Sequence, residues 1–391
     1  MTTPVIVSAV RTAIGKQGGA LATLPYYMFG AEVMREAVRR AEIQHHEIDD
    51  VIFGNCLSGG GNPARMTLLQ AGIPFEVPGM TIDRQCGTGI NAVALAADLI
   101  KAGRGSVYLT GGVESMSRSP YLLSPATRTY DRNPPQFIKR KLSPDDIGDP
   151  PMGITAENVA EKYKITREEQ DEYAAESQRR MARAMEEGLF DKQIVPIEIR
   201  GKKETYVFKQ DEHPRHSTTI ESLSPLSPVF KEGGTVTAGN ASGVNDGASA
   251  LVMMSHDEAQ KRHLTVLAAV VDSQVAGVDP NMMGMGPVPA VRKLLKRNQL
   301  SIKDIDFVEL NEAFASQVLA CNRELEIPKE KLNVNGGAIA HGHPIAATGG
   351  ILITKAVYHM NKTRAKRTIV TACIGGGQGI AILLENTNEV K

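Results

Sequence analysis

Neither sign of charge predominates in this sequence of 391 residues: 44 Lys and Arg balance 44 Asp and Glu, and the pI is near 7.1. A balanced surface offers no global field toward nucleic acid or an anionic membrane, so an anionic substrate must be held by local groups. No basic helix carries interleaved aromatics, which leaves nucleic acid without support. Cysteine is scarce. Cys56, Cys86, Cys321 and Cys373 lie far apart and form no CxxC pair, which disfavours a disulfide framework or a zinc ribbon and points to free thiols in a reducing compartment. No apolar run is long enough to span a bilayer, and Met1 to Val10 shows neither a basic leader nor a small-residue cleavage site, so a soluble cytoplasmic protein is expected. Neither GxGxxG with an acidic partner nor GxxxxGKS/T follows a strand; phosphoryl transfer and nucleotide-dependent redox chemistry lack support, and no cofactor is expected.

Apolar residues make up 42% of the chain, enough for two or three compact units. Val- and Ile-rich runs alternate with helical patterns: VIVSAV, a helical segment from Phe29 to Arg40, VIFGN, a helix after Cys86, then VYLTGG. That rhythm predicts an α/β fold with a parallel sheet covered by helices. The rhythm returns late, where EIQHHEIDDVIF (42–53) is echoed by QLSIKDIDFVEL (299–310). Ile43 answers Leu300 and Ile48 answers Ile305, an offset of 257 (300 − 43 and 305 − 48) that Asp49 with Asp306 and Val51 with Val308 maintain. Carried forward, the same offset lays Cys86 over His343. A small-residue helix and a strand ending in glycines, VYLTGG or IVTACIGGG, follow each turn. Two related halves are the reading; chance similarity of two amphipathic passages is the competing one. Met116 to Ala238 differs, with Pro- and Arg-rich loops, a long helical stretch from Thr155 to Glu187 and a capping signal at Thr166 and Glu169. The expected organisation is a first half at 1–115 and 239–265, an inserted loop domain at 116–238 and a second half at 266–391.

TIDRQCGTGINAV breaks from a strand into a helix at Cys86, placing a thiol at a helix N-terminus where amides and the dipole favour the thiolate. Taken alone, such a cysteine is more often a small core residue. The second half shifts the balance: His343 stands on a GHP turn, Cys373 ends the next strand in CIGGG, and equivalent strand ends converge on one cleft. Asn311, at the end of the VEL strand, offers an amide donor for a developing oxyanion. Its neighbour Glu312 is assigned a structural hydrogen-bonding role, because a carboxylate beside a thiolate raises the thiol's pKa. A metal centre is disfavoured. The HxH of His341 and His343 lies among Gly and Pro with no third ligand nearby in sequence, and DEHPRH (211–216) reads as a solvated loop.

In order and over essentially the whole chain, VRTAIGKQGG, DRQCGTG, GGVESMS, MGITAEN, GTVTAGNASGVNDGA, GMGPVPA, NEAFA, GGAIAHGHP and CIGGGQG resemble the thiolases, enzymes that form or cleave 3-oxoacyl-CoA. The resemblance implies two βαβαβαββ halves stacked as a five-layered αβαβα core, with a loop domain inserted from the first half. It also implies that Cys86 is the acyl-accepting nucleophile, His343 the base that activates it and Cys373 the thiol that exchanges a proton with substrate. Asn311, through a water, would join His343 in one oxyanion hole; the amides of Cys86 and Gly375 would form a second. Arg215 and Ser242 resemble positions that contact coenzyme A, Met152, Ala313 and Phe314 a pantetheine tunnel, and Met283 a methionine that shortens the acyl pocket in short-chain members.

The substrates implied are acetyl-CoA, acetoacetyl-CoA or another 3-ketoacyl-CoA, and CoA. Acetyl-CoA C-acetyltransferase activity leads, ahead of a broader 3-ketoacyl-CoA thiolase and a non-catalytic acyl-CoA-binding relative; a homodimer or homotetramer is expected. Three features depart from the family pattern: Pro151 where histidine is frequent, Ala346 in place of glycine, and Tyr121 to Pro150, which match no motif.

Overall fold

The computed structural model describes residues 2–130, 132–201 and 204–387. The first half runs β1 (Pro4–Thr12), α1 (Tyr26–Arg40), β2 (Asp50–Gly54), α2 (Pro63–Gln70), β3 (Gly79–Ile82), α3 (Thr88–Lys101) and β4 (Val107–Ser115). After the helices α4 (Met152–Tyr163) and α5 (Arg167–Glu186), β5 (Asn245–Ser255) completes a βαβαβαββ unit. The second half runs β6 (Ala268–Gly277), α6 (Pro287–Arg297), β7 (Phe307–Leu310), α7 (Ala315–Leu325), α8 (Ile345–Thr363), β8 (Arg367–Ile374) and β9 (Gln378–Glu385).

These strands lie in the order β7-β8-β9-β6-β1-β5-β4-β2-β3, with two-residue strands at Gly15–Lys16 and Ile194–Val195 joined to β5 and β1. Read outward from the β1/β6 junction, the two halves repeat one another: β1-β5-β4-β2-β3 on one side, β6-β9-β8-β7 on the other. Strand directions repeat as well, since β4 with β2 and β8 with β7 are parallel, while β5 with β4 and β9 with β8 are antiparallel. The 257-residue offset holds at element boundaries: α1 and α6 end at Arg40 and Arg297 (297 − 40), and α3 and α8 begin at Thr88 and Ile345 (345 − 88). One member is reduced. The counterpart of β3 survives as a single parallel bridge between Leu332 and Val308.

The layers follow from which faces are apolar. Strand β1, PVIVSAVRT, is buried along its whole length, as a strand covered on both sides must be. One outer core packs Phe29, Val33 and Met34 of α1 against Leu109 and Val252; the opposite outer core packs Val291 and Leu294 of α6 and Val318 of α7 against Val308 and Leu383. Between the half-sheets, α3 and α8 share one cluster with Ile6, Leu251, Val370 and Ile382. A helix buried on all sides is apolar around its circumference, and α3 (TGINAVALAADLIK) and α8 (IAATGGILITKAVYHM) read that way. They cross backbone to backbone. A Cβ at Gly89 would stand 2.5 Å from the Gly350 nitrogen, and one at Gly349 would collide with the Ile90 nitrogen.

Two sequence expectations are corrected. The long helical stretch over Thr155 to Glu187 is two helices, because Lys164 takes a left-handed conformation (φ 50°), and the capping signal at Thr166 and Glu169 starts α5 with a reciprocal cap as read. DEHPRH is not wholly solvated either. Asp211 is buried and paired to Arg11 of β1 through two bonds of 2.8 and 3.0 Å, while Glu212 accepts from the amides of Lys16 and Ala20. The partners lie about 200 residues away, so the local run of polar residues conceals them. Among the described residues, no helix is long and apolar enough to cross a membrane.

Candidate active site

Cys86 sits in a 3-10 turn, Gln85–Gly87, that leads directly into α3. Strain falls one residue earlier: Gln85 has φ 45°, held by Asp83, whose Oδ1 accepts from the Gln85 backbone amide at 2.8 Å. Of the four cysteines, all free, Cys86 alone is half-buried and the others are buried. Its thiol meets the backbone amides of Gly375 and of Cys86 itself, which favour the thiolate, yet burial outweighs them and pushes the thiol up to about 11, with Asp83 and Glu114 adding repulsion. The expectation of a thiolate stabilised by the helix start is therefore corrected. At rest Cys86 is a thiol and requires a base.

His343 supplies one at the equivalent place. The one-turn helix Ala338–His341 ends at Gly342, whose φ of 98° suits glycine, and Pro344 then leads into α8, which packs on the Cys86 turn. The His343 backbone amide donates to Asn245 Oδ1 at 2.9 Å; Nδ1 lies 2.7 Å from Thr348 Oγ1, and Nε2 lies 3.4 Å from Asn311 Nδ2. Burial alone pulls the imidazole down to about 4, so it is neutral near pH 7. Asn311 is held by its own amide on the Thr371 carbonyl at 2.9 Å, and its side-chain Oδ1 is buried without a protein partner.

Cys373 ends β8, fully buried, its thiol raised well above the usual range by burial first and then by Cys86 and Cys321. It shares one apolar cluster with Met152, Met283, Ala313 and Phe314. Ser242 is tied to this wall by its amide on the Ala313 carbonyl at 3.0 Å. Arg215 lies apart, exposed on its loop, with its amide on Gln178 Oε1. Gly375 is closely approached by the loop: a Cβ there would stand 2.8 Å from Leu142 Cδ1, which would have to shift, and 3.6 Å from Met152 Sδ. Leu142 comes from the stretch that matches no motif, and with Asp83, Arg84, Gln85 and Lys141 it lines a cavity of 380 Å³ beside Gly375.

Supporting carboxylates were only partly foreseen. Glu312 accepts from Tyr173, Ser177, Asn333 and the Ile339 amide at 2.7 to 3.1 Å, which is the structural role expected of it. Glu114, inside GGVESMS, was missed. It gathers the amides of Cys56, Leu57 and Ser58 and, at 3.3 Å, that of Ala346 at the start of α8. Ala346 is fully buried there, so the departure from glycine is accommodated. Thr348 and Asn245 were also missed; NASGVND contains Asn245, but only the fold brings it to the His343 amide. No group of three or more His, Cys, Asp or Glu suited to a metal occurs among the described residues.

A duplicated five-layered α/β fold with a thiol and an imidazole on equivalent turns defines the class. The sequence matches the family descriptions Thiolase, N-terminal domain, over residues 4–257 and Thiolase, C-terminal domain, over residues 264–386. Acetyl-CoA acetyltransferase of Escherichia coli (strain K12) is 47% identical over 390 residues, covering 98% of this chain and 99% of that protein. The crystal structure of the Bacillus anthracis acetyl-CoA acetyltransferase matches with a TM-score of 0.94 at 44% identity, covering 98% of this chain and 99% of its own. Human mitochondrial 3-ketoacyl-CoA thiolase matches with a TM-score of 0.93 at 40% identity, covering 99% of each chain. The chain belongs to the thiolase family.

Proposed function

We propose that this protein is an acetyl-CoA C-acetyltransferase that joins two acetyl-CoA into acetoacetyl-CoA and CoA, or runs the reverse thiolysis, through an acyl-Cys86 intermediate. The observation that carries the reading is the pairing of a half-buried Cys86 thiol, on the amides of Gly375 and Cys86, with a buried neutral His343 and a Cys373 walled by Met152, Met283, Ala313 and Phe314.

In the first step Cys86 Sγ attacks the thioester carbonyl and gives its proton to His343 Nε2. The tetrahedral oxyanion collapses, the carbon–sulfur bond to coenzyme A breaks, and Cys373 protonates the departing sulfur. Burial keeps Cys373 protonated at rest, which fits a donor in this step. In the second step the Cys373 thiolate takes the α-proton of another acetyl-CoA, and the resulting enolate attacks acetyl-Cys86. The new carbon–carbon bond releases Cys86, which recovers its proton from His343. The oxyanions of the two steps are assigned to His343 with Asn311 and to the amides of Gly375 and Cys86. Arg215 and Ser242 are assigned to coenzyme A, Arg215 because an exposed guanidinium suits an anionic nucleotide.

Mass spectrometry after exposure to acetyl-CoA tests the mechanism: an acetyl group on Cys86 is expected, and a different site or none overturns it. Met283, 2% exposed at the wall around Cys373, favours short chains over a broader 3-ketoacyl-CoA thiolase. Rates over C4 to C12 3-ketoacyl-CoAs decide that choice, since faster turnover of the long members would reverse it. A homo-oligomer is part of the same proposal: the open edge strand β3 exposes Met80, and the exposed rings of Tyr121 and Phe137 meet edge to face beside a short antiparallel strand pair. Light scattering on the purified protein reads the assembly, and a monomer refutes it.

A further inference from the structure

The thiolase reading requires His343 to carry its lone pair on Nε2, and the residues around the ring determine whether it does. Neutral imidazole has two tautomers, and the protein's hydrogen bonds select between them. Thr348 is the fourth residue after Pro344, one helical turn into α8. Its Oγ1 lies 2.9 Å from the Pro344 carbonyl and 2.7 Å from His343 Nδ1. A carbonyl only accepts, so the single hydroxyl proton goes to Pro344, a back-bond common for Thr in a helix. What Thr348 then offers Nδ1 is a lone pair, and Nδ1 must bring the proton.

The contact on the opposite side of the ring is compatible with this. Asn311 Nδ2 stands 3.4 Å from Nε2 and can only donate, which requires an unprotonated Nε2. We propose that Thr348 is a positioning residue that locks His343 as the Nδ1–H tautomer, leaving Nε2 free to take the Cys86 proton. This inference rests on the assignment of His343 as the base.

The arrangement serves both protonation states. When Nε2 takes the thiol proton, Nδ1 keeps its own and remains bonded to Thr348, so the hydroxyl does not rotate during the reaction. Among the described residues, no carboxylate bonds to the ring, unlike a Ser-His-Asp triad, whose acid stabilises the imidazolium. A neutral hydroxyl orients the ring without retaining the proton on it. The imidazolium therefore stays acidic and returns its proton promptly to Cys86.

Nitrogen-15 spectra of His343, with acetylation rates in Thr348→Val and Thr348→Ser, test the proposal. In the parent protein near pH 7.5 the spectrum is expected to show protonated Nδ1 and bare Nε2; a protonated Nε2 overturns the proposal without any variant. Thr348→Val should populate the other tautomer and slow Cys86 acetylation roughly 10- to 100-fold, mainly in kcat, while Thr348→Ser restores it to within about threefold. An unchanged tautomer or acetylation rate in a folded Thr348→Val refutes the lock, and Thr348→Ala replaces it should the valine variant not fold. Absence of acetyl-Cys86 in the parent protein would instead defeat the thiolase reading, and the spectrum would still judge the tautomer.

Discussion

The turn before α3 and the turn before α8 occupy equivalent places in two copies of one fold, 257 residues apart (343 − 86), yet they are built in opposite ways. The first leaves Cys86 half-buried, with strain at Gln85 and open space beside Gly375. The second buries His343 and fixes it at three points, through Asn245, Thr348 and Asn311. A nucleophile must be reached by substrate; a base must point one way. Each demand is met by a separate copy of the same turn, and the segment between β4 and β5 follows that division. Where β3 closes the first half as an edge strand, the second half keeps one bridge and gives the space to the Glu312 network with Tyr173 and Ser177 of α5.

The largest effect expected is at the accessible turn. Cys86→Ala should lower acyl transfer about 10⁴-fold or more and abolish the adduct, whereas His343→Ala should cost roughly 10² to 10⁴-fold in acetylation. Iodoacetamide sharpens the contrast. Because burial holds the Cys86 thiol near 11, alkylation should rise about tenfold per pH unit from pH 8 to 10 and fall on Cys86 before the buried Cys56, Cys321 and Cys373. Peptide mapping reads the order, and preferential alkylation of Cys373 would break the comparison.

Next in size is the crossing that holds the turns together. Gly349→Ala places a methyl against the Ile90 backbone, a contact no side-chain rotation relieves, and should cost about 3 kcal/mol or more in urea unfolding. Gly60, with open space around it, is the control, and its alanine variant should stay within about 0.5 kcal/mol.

These features differ in how far the sequence revealed them. The repeat and the places of Cys86, His343, Cys373 and Asn311 on turns and strand ends were legible because each rests on a local pattern: a period-two run, a glycine turn or a strand end. The Asp211 pair with Arg11 was not, since its partners are 200 residues apart and each alone resembles a surface charge. Leu142 was hidden for a related reason, because a leucine in a polar, unmatched loop carries no periodicity to show what it covers. The protonation of Cys86 was misread: the helix start is visible in sequence, whereas the desolvation that outweighs it exists only after packing.

Acid stability probes the sealed turn at moderate size. Burial holds His213, His343 and His359 down to about 4 and His341 well below the usual value, and three of these four lie in the second half. The unfolded chain binds protons near pH 6.5 that the folded chain refuses, so their contribution to stability is present above 6.5 and is lost as pH falls from 6.5 toward 4. Each histidine contributes a slope of up to about 1.4 kcal/mol per pH unit. Urea midpoints from pH 7 to 5 should fall accordingly, and His343→Gln should reduce the slope by about one proton. An unchanged slope would mean that the His343 turn opens to solvent.

Met283 carries the smallest effect. It lies in the 3-10 segment before α6, 2% exposed, in the cluster that walls Cys373. Truncation to alanine removes about three heavy atoms from a wall that also includes Ala156, Ala241 and Ala313, which are too small to fill the gap. A hydrophobic pocket discriminates by only about 1 to 3 kcal/mol per methylene. Met283→Ala should therefore shift relative kcat/KM from C4 toward C6 and C8 substrates by about tenfold, with Cys86 acetylation by acetyl-CoA nearly unchanged. A uniform loss across chain lengths would show that Met283 supports the Cys373 strand end instead of bounding the acyl chain. Chain-length choice would then be sought in the segment between β4 and β5, at Leu142 and Met152, the two side chains that face Gly375.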